Sequence, residues 1–456
     1  MRPRELIRSV LVTVAGRAEV MARRHNWLSP QPPGEVMHSV ETSKHATEPK
    51  SNGVAESQPR SVAVADVGHT GERGFADFNE LLHELRSIEL ARMPKTSGTV
   101  LSAGASGTLY FEWIARCYGP ISRHIGLELY LPEPEALPPE VTWVKASVGN
   151  MTGVDTGSVS LVFSGQNFEH LFGDDAVGFL LECHRVLALG GALVIDSPNR
   201  DIASAATWTQ PEHTIEFTPA EATDLLTLAG FDVTSLRGVW LCVDPVTGER
   251  LDLWQTGDAV PPIKEIVSRS VLATDRPEAS FVWWLEAARS ERTPGEAALR
   301  ARHAEIFEMA WKERQQRLSH QVGERRELDG KKLVRVAKGV AGWAMFGPYM
   351  PLVPGAYRVD FEMRLLNSST ARATDLDVTA AEVDVADVAG SAIVSRRVTV
   401  AELPRDEWIS IPLSFDITEL TWGVQFRVFG TGASELEVVF ETNLTSDAEG
   451  IAPTFV

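Results

Sequence analysis

Short apolar runs alternate with helical periodicities between residues 75 and 240. Apolar runs bounded by turn residues predict buried strands, whereas apolar residues three and four apart predict amphipathic helices. The strands are predicted from about Thr99 and over 125–128, 141–144, 160–163, 192–196 and from 231. The helices are predicted over 75–85, 109–118, 174–188 and 218–230. Strands that alternate with helices in this way predict a parallel, doubly wound α/β sheet.

Two of these helices carry signals at their ends. Thr218 precedes Pro219, and Glu221 follows three residues later, which predicts a capping box at the start of helix 218–230. Gly190-Gly191 follows helix 174–188, and we expect it to end that helix as a left-handed cap.

From Lys332 onwards the pattern changes to period-two alternation. Such strands, separated by turn residues, predict an all-β sandwich of about 120 residues, jelly-roll-like. The predicted strands are 357–363, 393–400, 408–413, 423–429 and 436–440.

Between the two patterned regions, residues 240–330 are less regular. They contain the apolar run Phe281–Leu285 and a charged helical pattern from about Pro294 to His320, which we interpret as an accessory lobe and a connecting helix. The chain therefore divides into 1–74, 75–245 (the α/β domain), 246–330 and 331–456 (the sandwich).

The N-terminal segment differs from the rest of the chain. Residues 1–25 carry six arginines against two glutamates, and residues 29–75 are rich in Pro, Ser, Glu, Gly and Thr. The second stretch predicts a disordered linker. For the first, a solvated terminus is favoured over an interfacial helix that contacts an anionic membrane or a partner.

Charge and composition narrow the function classes. The formal charge of −19 over 456 residues argues against a general nucleic-acid binder, which needs clustered Lys and Arg. The cysteines (117, 183 and 242) match no disulfide framework and no zinc spacing. No apolar run reaches the roughly 18 residues of a transmembrane helix. A reduced, cytoplasmic setting is therefore expected, with peripheral contact at the inner membrane face left open through residues 1–25; the oligomeric state is also open.

The stretch from Thr99 to Glu128 carries the first chemical signal. Small residues at 104–107 form a turn that lets the backbone approach a ligand closely. Glu128 lies 24 positions after Gly104, where an acid can accept hydrogen bonds from both ribose hydroxyls. This strand–turn–helix–strand–acid pattern predicts a nucleoside site.

Six segments in order resemble the class I S-adenosylmethionine-dependent methyltransferases, type 11. They are residues 100–108 at the glycine turn, Glu128 at the ribose position, Asn150-Met151 at the adenine position, 163–171, 182–195, and 213–219 followed by 229–231. The resemblance covers about residues 95–240 and implies a Rossmann-like fold with S-adenosyl-L-methionine as cofactor. By this resemblance, the cofactor-binding residues are Ser102, Gly104, Ala105, Ser106, Gly107, Glu128, Leu129, Asn150, Met151, Ser164 and Gln166.

The chain departs from the family pattern at four positions. The family usually has an acid at Ser102, glycines at Ser106 and Thr108, and an Asp at Ser160. Loss of the acid removes a partner for the methionine ammonium group. We expect Gly107 to shift the turn by one residue and restore room for the cofactor.

Two histidines are candidates for catalysis. His170 and His213 lie at or beyond the carboxyl ends of predicted strands, where open α/β sheets bind ligands. An oxygen nucleophile needs a base near neutral pH, and imidazole is suited to that task. The resemblance also places Glu169 beside the cofactor pocket. The alternative for His170 is a contact at a helix N-terminus.

Polar residues after the predicted strands have competing interpretations. Gln166 and Asn167 either orient a substrate hydroxyl or form turn hydrogen bonds. Asp196, Asn199 and Asp201 could bind a hard cation, but short polar clusters after strands are more often loop-forming, and we predict no metal site.

The second domain carries its own resemblance. Residues 342–359, GWAMFGPYMPLVPGAYRV, resemble the FGPY motif of carbohydrate-binding-like sandwiches attached to bacterial sugar-modifying enzymes. Trp343, Phe346 and Tyr349 either stack on a sugar ring or fill the sandwich core.

These observations predict a methyltransferase that O-methylates a sugar in a glycan or glycolipid during cell-surface polysaccharide assembly. One rival is a non-catalytic binding protein that retains the fold, favoured by Ser102, Ser106 and Ser160. The other is a methyltransferase for a small metabolite.

Overall fold

The computed structural model describes residues 78–203, 212–252, 261–366 and 377–446. The basic segment 1–25 and the linker 29–75 of the sequence analysis lie outside these ranges. Within them, no helix combines the length and apolarity needed to cross a membrane.

The first half of the chain forms a seven-stranded sheet with helices around it. Its strands are β1 (Val100–Ala103), β2 (His124–Glu128), β3 (Val141–Lys145), β4 (Val159–Gly165), β5 (Leu187–Pro198), β6 (Phe231–Leu241) and β7 (Ser280–Arg289). The helices are α1 (Phe78–Arg92), α2 (Thr108–Tyr118), α3 (Asp174–Val186), α4 (Arg200–Ala203), α5 (Pro219–Leu228), α6 (Ile263–Ala273) and α7 (Glu296–Gln315), with 3₁₀ turns at Phe168–His170 and Pro277–Ala279. The predicted alternation of strands and helices is confirmed.

The sheet is mixed, which corrects the prediction of a parallel one. Its strand order is β3-β2-β1-β4-β5-β7-β6, and the first five strands are parallel. Strand β7 runs antiparallel to both β5 and β6. This strand contains the run Phe281–Leu285 that the sequence analysis placed in an accessory lobe. An apolar run that is buried on both faces fits a central strand of either direction, so its pattern does not reveal the reversal.

One predicted helix end is confirmed and the other is wrong. In α5, Oγ1 of Thr218 accepts from the backbone N–H of Glu221 at 3.3 Å, and Oε2 of Glu221 accepts from that of Thr218 at 2.8 Å. Helix α3, however, ends at Val186, before the glycine pair. Gly190 has φ +74° but lies inside β5, because the buried Leu187 already pairs with Val159 of β4.

The second half forms two antiparallel sheets, as predicted for the sandwich. One contains β10 (Gly342–Met345), β11 (Pro348–Leu352), β13 (Thr379–Ala386), β14 (Ala392–Thr399) and β16 (Thr421–Gly430). The other contains β8 (Glu324–Leu328), β9 (Lys331–Val336), β12 (Gly355–Leu365), β15 (Ile409–Ile417), β17 (Leu436–Val439) and β18 (Asn443–Ser446). A 3₁₀ turn covers Val400–Glu402. Each strand predicted here has a counterpart in one of these sheets.

Helix α7 joins the sandwich to the α/β domain. Its buried residues Phe307 and Trp311 belong to the same apolar core as Met350 and Leu352 of β11. After the helix, Ser319 and Phe346 exchange backbone hydrogen bonds of 2.9 and 2.8 Å. The two halves therefore share one continuous core, and this contact brings the sandwich close to the candidate site.

Candidate functional site

The glycine turn after β1 lies directly beside the end of β2. The backbone N–H groups of Gly104 and Ala105 both donate to the carbonyl of Leu127, at 2.9 and 3.1 Å. Leu127 immediately precedes Glu128, so the turn and the acid are adjacent. Gly104 has φ +76°, and a Cβ built on it would lie 2.3 Å from Oδ1 of Asn167. Only glycine fits this position, since both the conformation and the space exclude a side chain.

The rest of the turn is small and largely enclosed. Ala105 and Ser106 are buried, and Gly107 has φ +112° where α2 begins. A second glycine with positive φ therefore stands between the two side chains that depart from the family pattern, Ser106 and Thr108. That Gly107 shifts the turn by one residue and restores room for the cofactor stays a prediction.

Ser102, at the position of the missing acid, has a partner on the neighbouring strand. Its Oγ is 2.8 Å from Nε2 of His124, and both side chains are buried. Burial lowers the pKa of His124 to about 4, so the imidazole is neutral at pH 7. The pair therefore supplies no negative charge for a ligand ammonium group.

Glu128 ends β2 and is only 1% exposed. Its Oε1 accepts from the backbone N–H groups of Tyr130 and Leu131, at 2.9 and 3.3 Å, which folds the following loop around the carboxylate. Leu129, between them, is 37% exposed. The acid is thus held in place at the strand end by its own loop.

The remaining predicted cofactor residues lie on the loop after β3 and at the end of β4. Met151 is buried, with its N–H donating to Oε2 of Glu182 at 2.7 Å, while Asn150 is exposed in a turn. Ser164 is buried at the end of β4. Gln166 has φ +50° and donates from Nε2 to Oδ2 of Asp196 at 2.8 Å. Its side chain is therefore bonded to the end of β5.

Both candidate catalytic histidines meet at one place, together with Glu169. The rings of His170 and His213 contact edge to face, with centroids 4.8 Å apart. One ligand-capable atom from each of these three residues lies within 4.8 Å of the others. Thr214 N–H donates to the Glu169 carbonyl at 2.8 Å, which ties the two chain segments together.

Each member of this cluster has an orienting partner. Oγ of Ser197 donates to Oε2 of Glu169 at 2.9 Å. Nδ1 of His213 is 2.8 Å from Oε1 of Glu216, and Nδ1 of His170 is 3.1 Å from the carbonyl of Glu212. These contacts fix the ring orientations of both histidines.

Burial sets the charge balance of the cluster. Glu169 is fully buried, which raises its pKa to about 7, with the charge of His213 opposing the rise. Burial acts to lower the pKa of His213, but the hydrogen bond and charge of Glu216, with the charge of Glu169, outweigh it and raise the pKa. The pKa of Glu169 therefore lies near neutral pH, and the three side chains could also hold a metal ion.

Two buried arginines hold the loop that carries His213. Arg200 donates to the Glu216 carbonyl at 3.0 Å and forms a two-pronged ion pair with Glu221, at 2.9 and 2.5 Å. Arg314 of α7 donates to the carbonyls of His213 and Thr214 and, at 2.7 Å, to that of Tyr349 in the sandwich. Burial lowers the pKa of Arg314 to about 9.

The polar residues after β5 have separate structural roles. Asp196 forms a buried ion pair with Arg86 of α1, at 2.5 and 3.1 Å. Nδ2 of Asn199 donates to the carbonyls of Pro277, Glu278 and Ser280. Asp201 is exposed. Of the three residues, only Asn199 lies in a loop, because Asp196 belongs to β5 and Asp201 to α4.

The sandwich aromatics lie between core and surface. Trp343, Phe346 and Tyr349 are all half-buried. The guanidinium of Arg427 lies 4.5 Å from the ring centroid of Trp343. The ring of Trp422 contacts that of Phe172 edge to face, with centroids 6.1 Å apart. Phe172 lies two residues after His170. One aromatic side chain of the sandwich therefore borders the segment that carries the catalytic candidate.

Several residues of the site were not predicted. Glu216 could have been found from the sequence, because it follows His213 by three residues in the same short motif. Ser197 and His124 lie on strands whose pattern indicates burial alone. Arg314 belongs to a charged helix on which nothing distinguishes it from its exposed neighbours, so its role could not be read from the sequence.

Comparison with known proteins gives matches of limited extent. Solved structures include a putative methyltransferase of Haloferax volcanii in complex with the Trm112 activator, 20% identical with a TM-score of 0.34, covering 47% of this chain and 92% of that one. Another is a SAM-dependent methyltransferase of Archaeoglobus fulgidus, 18% identical with a TM-score of 0.32, covering 45% and 94%.

Two curated relatives are similar to a part of the chain. A probable S-adenosylmethionine-dependent methyltransferase of Mycolicibacterium smegmatis is 42% identical over 85 residues, which is 18% of this chain and 32% of the relative. One of Mycobacterium tuberculosis is 36% identical over 104 residues, 22% and 37% respectively. The chain thus spans about a third of the length of these relatives.

The methyltransferase-domain family matches residues 101–195, which run from β1 to β5 and include the turn, Glu128 and His170. The comparisons therefore support a methyltransferase domain over residues 101–195, with S-adenosylmethionine as its cofactor.

Proposed function

We propose that the protein transfers a methyl group from S-adenosylmethionine to a hydroxyl of a sugar in a glycan or glycolipid. In this reaction the S–CH₃ bond breaks, an O–CH₃ bond forms, and the hydroxyl proton is released. The products are the methyl ether, S-adenosylhomocysteine and a proton. The sulfonium is already an activated leaving group, so the protein mainly aligns the two reactants and excludes water.

The placement of the glycine turn against Glu128 carries this proposal. Gly104 and Ala105 are both bonded to Leu127, so the small-residue turn adjoins a buried carboxylate. A nucleoside bound against this turn would have its ribose hydroxyls at Glu128. By this proposal, Ser164 and Met151 border the rest of the cofactor.

The choice of an oxygen acceptor is supported by the cluster of Glu169, His170 and His213. A sugar hydroxyl must lose its proton as the methyl group arrives, and imidazole can accept it. We propose that His170 or His213 has this role. Glu216 would orient His213 and stabilise its protonated form.

The choice of a sugar is supported by the attached sandwich. Its motif around Tyr349 is bonded through Arg314 to the loop of His213, and its Trp422 contacts Phe172. Half-buried aromatic side chains at such a junction suit the apolar face of a sugar ring. In the rival, a methyltransferase for a small metabolite, the sandwich would serve only as an assembly module.

One observation favours the rival of a non-catalytic binding protein. Ser102 is bonded to a neutral histidine, so the domain lacks an acid there to hold the methionine ammonium group. Calorimetric titration of the purified chain with S-adenosylmethionine and S-adenosylhomocysteine separates the two. We expect both to bind; no binding at millimolar ligand would reject the enzyme. Binding without transfer of a labelled methyl group to glycan acceptors would favour the rival.

The ribose role of Glu128 can be tested directly. Glu128→Ala should weaken S-adenosylmethionine binding by at least about 1.5 kcal/mol, or roughly tenfold or more, because hydrogen bonds to a charged group are lost. Glu133→Ala, in the same loop and exposed, is the matched control and should leave binding unchanged. Equal binding by wild type and Glu128→Ala would reject the assigned role.

A further inference from the structure

The cluster of Glu169, His170 and His213 has the composition of a metal site. Two imidazoles and one carboxylate come from the 3₁₀ turn after β4 and from the loop before α5. Their ligand-capable atoms lie within 4.8 Å of one another. Two histidines and one glutamate form a common ligand set for zinc and other divalent transition metals in catalytic sites, where further positions stay open.

The surroundings of the cluster match those of metal ligands. Metal-binding histidines commonly donate their second ring N–H to a carboxylate or a backbone carbonyl. Here His213 donates to Glu216 and His170 to the carbonyl of Glu212, at 2.8 and 3.1 Å. Glu169 is held by Ser197 through Oε2. All three candidate ligands are therefore oriented by an outer set of contacts.

A buried atom of Glu169 gives independent support. Its Oε1 is inaccessible to solvent and has no hydrogen-bond partner among the described residues, although the side chain is fully buried. A buried carboxylate oxygen without a partner is unfavourable unless a cation or a donor approaches it. A cation bound between the two imidazoles and this carboxylate would satisfy it.

We propose that Glu169, His170 and His213 bind one divalent transition-metal cation of the zinc class. Magnesium is disfavoured, because it prefers oxygen ligands and imidazole nitrogens make up two thirds of the set. The existence of this site does not depend on methyl transfer. Its chemical role does rest on the proposed function: a cation held by these three side chains would lower the pKa of an acceptor hydroxyl, whose proton would leave to solvent. The cation would then take over the activation otherwise assigned to His170 or His213.

The test measures zinc alone on the full chain by equilibrium dialysis and elemental analysis, with cobalt absorption to report the ligands. The chain has 11 histidines, so differences between variants decide the result. Wild type should bind one zinc that millimolar magnesium does not displace. Glu169→Gln and His213→Ala should each weaken binding at least about 100-fold, and Glu216→Gln about 10- to 100-fold. His184→Gln, a histidine of α3 outside the cluster, should bind as wild type does.

Two results would overturn the site. One is the absence of stoichiometric zinc or cobalt in wild type, which would leave the cluster as a set of proton-sharing side chains. The other is unchanged binding in both Glu169→Gln and His213→Ala, which would mean adventitious ions only; far-ultraviolet circular dichroism must show that the variants are folded. Titration of the same preparations with S-adenosylmethionine separates the failure of the metal site from the failure of the proposed function. If the wild type binds S-adenosylmethionine but no zinc, the metal site alone is rejected.

Discussion

At Gly104 two constraints act on one residue. The backbone has φ +76°, which is costly for any side chain, and a Cβ would lie 2.3 Å from Oδ1 of Asn167. Gly190 has nearly the same φ, +74°, but a Cβ there would meet nothing within 4 Å. A side chain at Gly190 would therefore be unfavourable because of the backbone conformation alone. At Gly104 it would also collide with Asn167.

Gly104→Ala should consequently destabilise the protein more than Gly190→Ala does. We expect about 1–2 kcal/mol for Gly190→Ala, from conformation alone, and more for Gly104→Ala. Only Gly104→Ala should also weaken S-adenosylmethionine binding. Urea unfolding and calorimetry measure both quantities. Adding Asn167→Ala should recover part of the lost stability, and an equal cost at both glycines would contradict the interpretation.

At the same scale, the catalytic candidates show what residue patterns can predict. His170 and His213 were both identified by their positions beyond strand ends, and the structure brings their rings together. His213 is oriented by Glu216 and His170 by the backbone carbonyl of Glu212. A backbone partner leaves no mark in the residue pattern, so the contact of His170 could not be predicted. Their roles in catalysis remain predictions.

At the scale of elements, β1 and β2 are joined by a polar contact inside the sheet. Ser102 of β1 and His124 of β2 lie 2.8 Å apart, and the ring of Phe111 from α2 packs edge to face on His124 at 4.8 Å. Burial holds the pKa of His124 at about 4, below its ordinary 6.5. His124 is therefore protonated at a lower pH in the folded protein than in the unfolded chain.

Stability should therefore fall as the pH falls from about 6.5 towards 4. The contribution of His124 is fully present above pH 6.5, and about 2 kcal/mol of it is lost by pH 5. His83 and His303, also buried, add losses of the same sign. Urea unfolding of wild type and His124→Gln at pH 8 and pH 5 isolates the share of His124. The variant should lose about 2 kcal/mol less than wild type, and equal losses would contradict a buried neutral imidazole.

The helices and strands include both the most successful predictions from the sequence and the clearest errors. Strands β1, β2, β4 and β5 were predictable because each contains a buried apolar run between turn residues. The direction and place of β7 were not, because pairing with β5 and β6 depends on contacts far away in the chain. Gly190-Gly191 failed as a helix cap for a similar reason, since the strand pairing of Leu187 with Val159 overrides the local preference of glycine.

At the scale of the whole molecule, Arg314 connects the two halves. Its guanidinium donates to two carbonyls of the His213 loop and to Tyr349 of the sandwich. Removing the sandwich would also expose Trp311 and the apolar face of α7. A chain truncated before the sandwich would therefore lose activity because it is unstable. A single substitution is a better test of whether the sandwich affects methyl transfer.

Arg314→Gln should lower the free energy of unfolding by about 2–4 kcal/mol, since buried carbonyls lose a charged donor. If Arg314 also positions His213, transfer to the acceptor should slow while S-adenosylmethionine binding stays within about twofold of wild type. Arg302→Gln, on the same helix, removes exposed ion pairs with Asp224 and Glu305 and should cost at most about 1 kcal/mol without changing transfer. Unfolding and labelled-methyl transfer, measured on both variants, decide the question. If Arg314→Gln is destabilised but transfers methyl groups normally, Arg314 has a structural role only. If transfer slows while cofactor binding is unchanged, the contact with the sandwich contributes to catalysis.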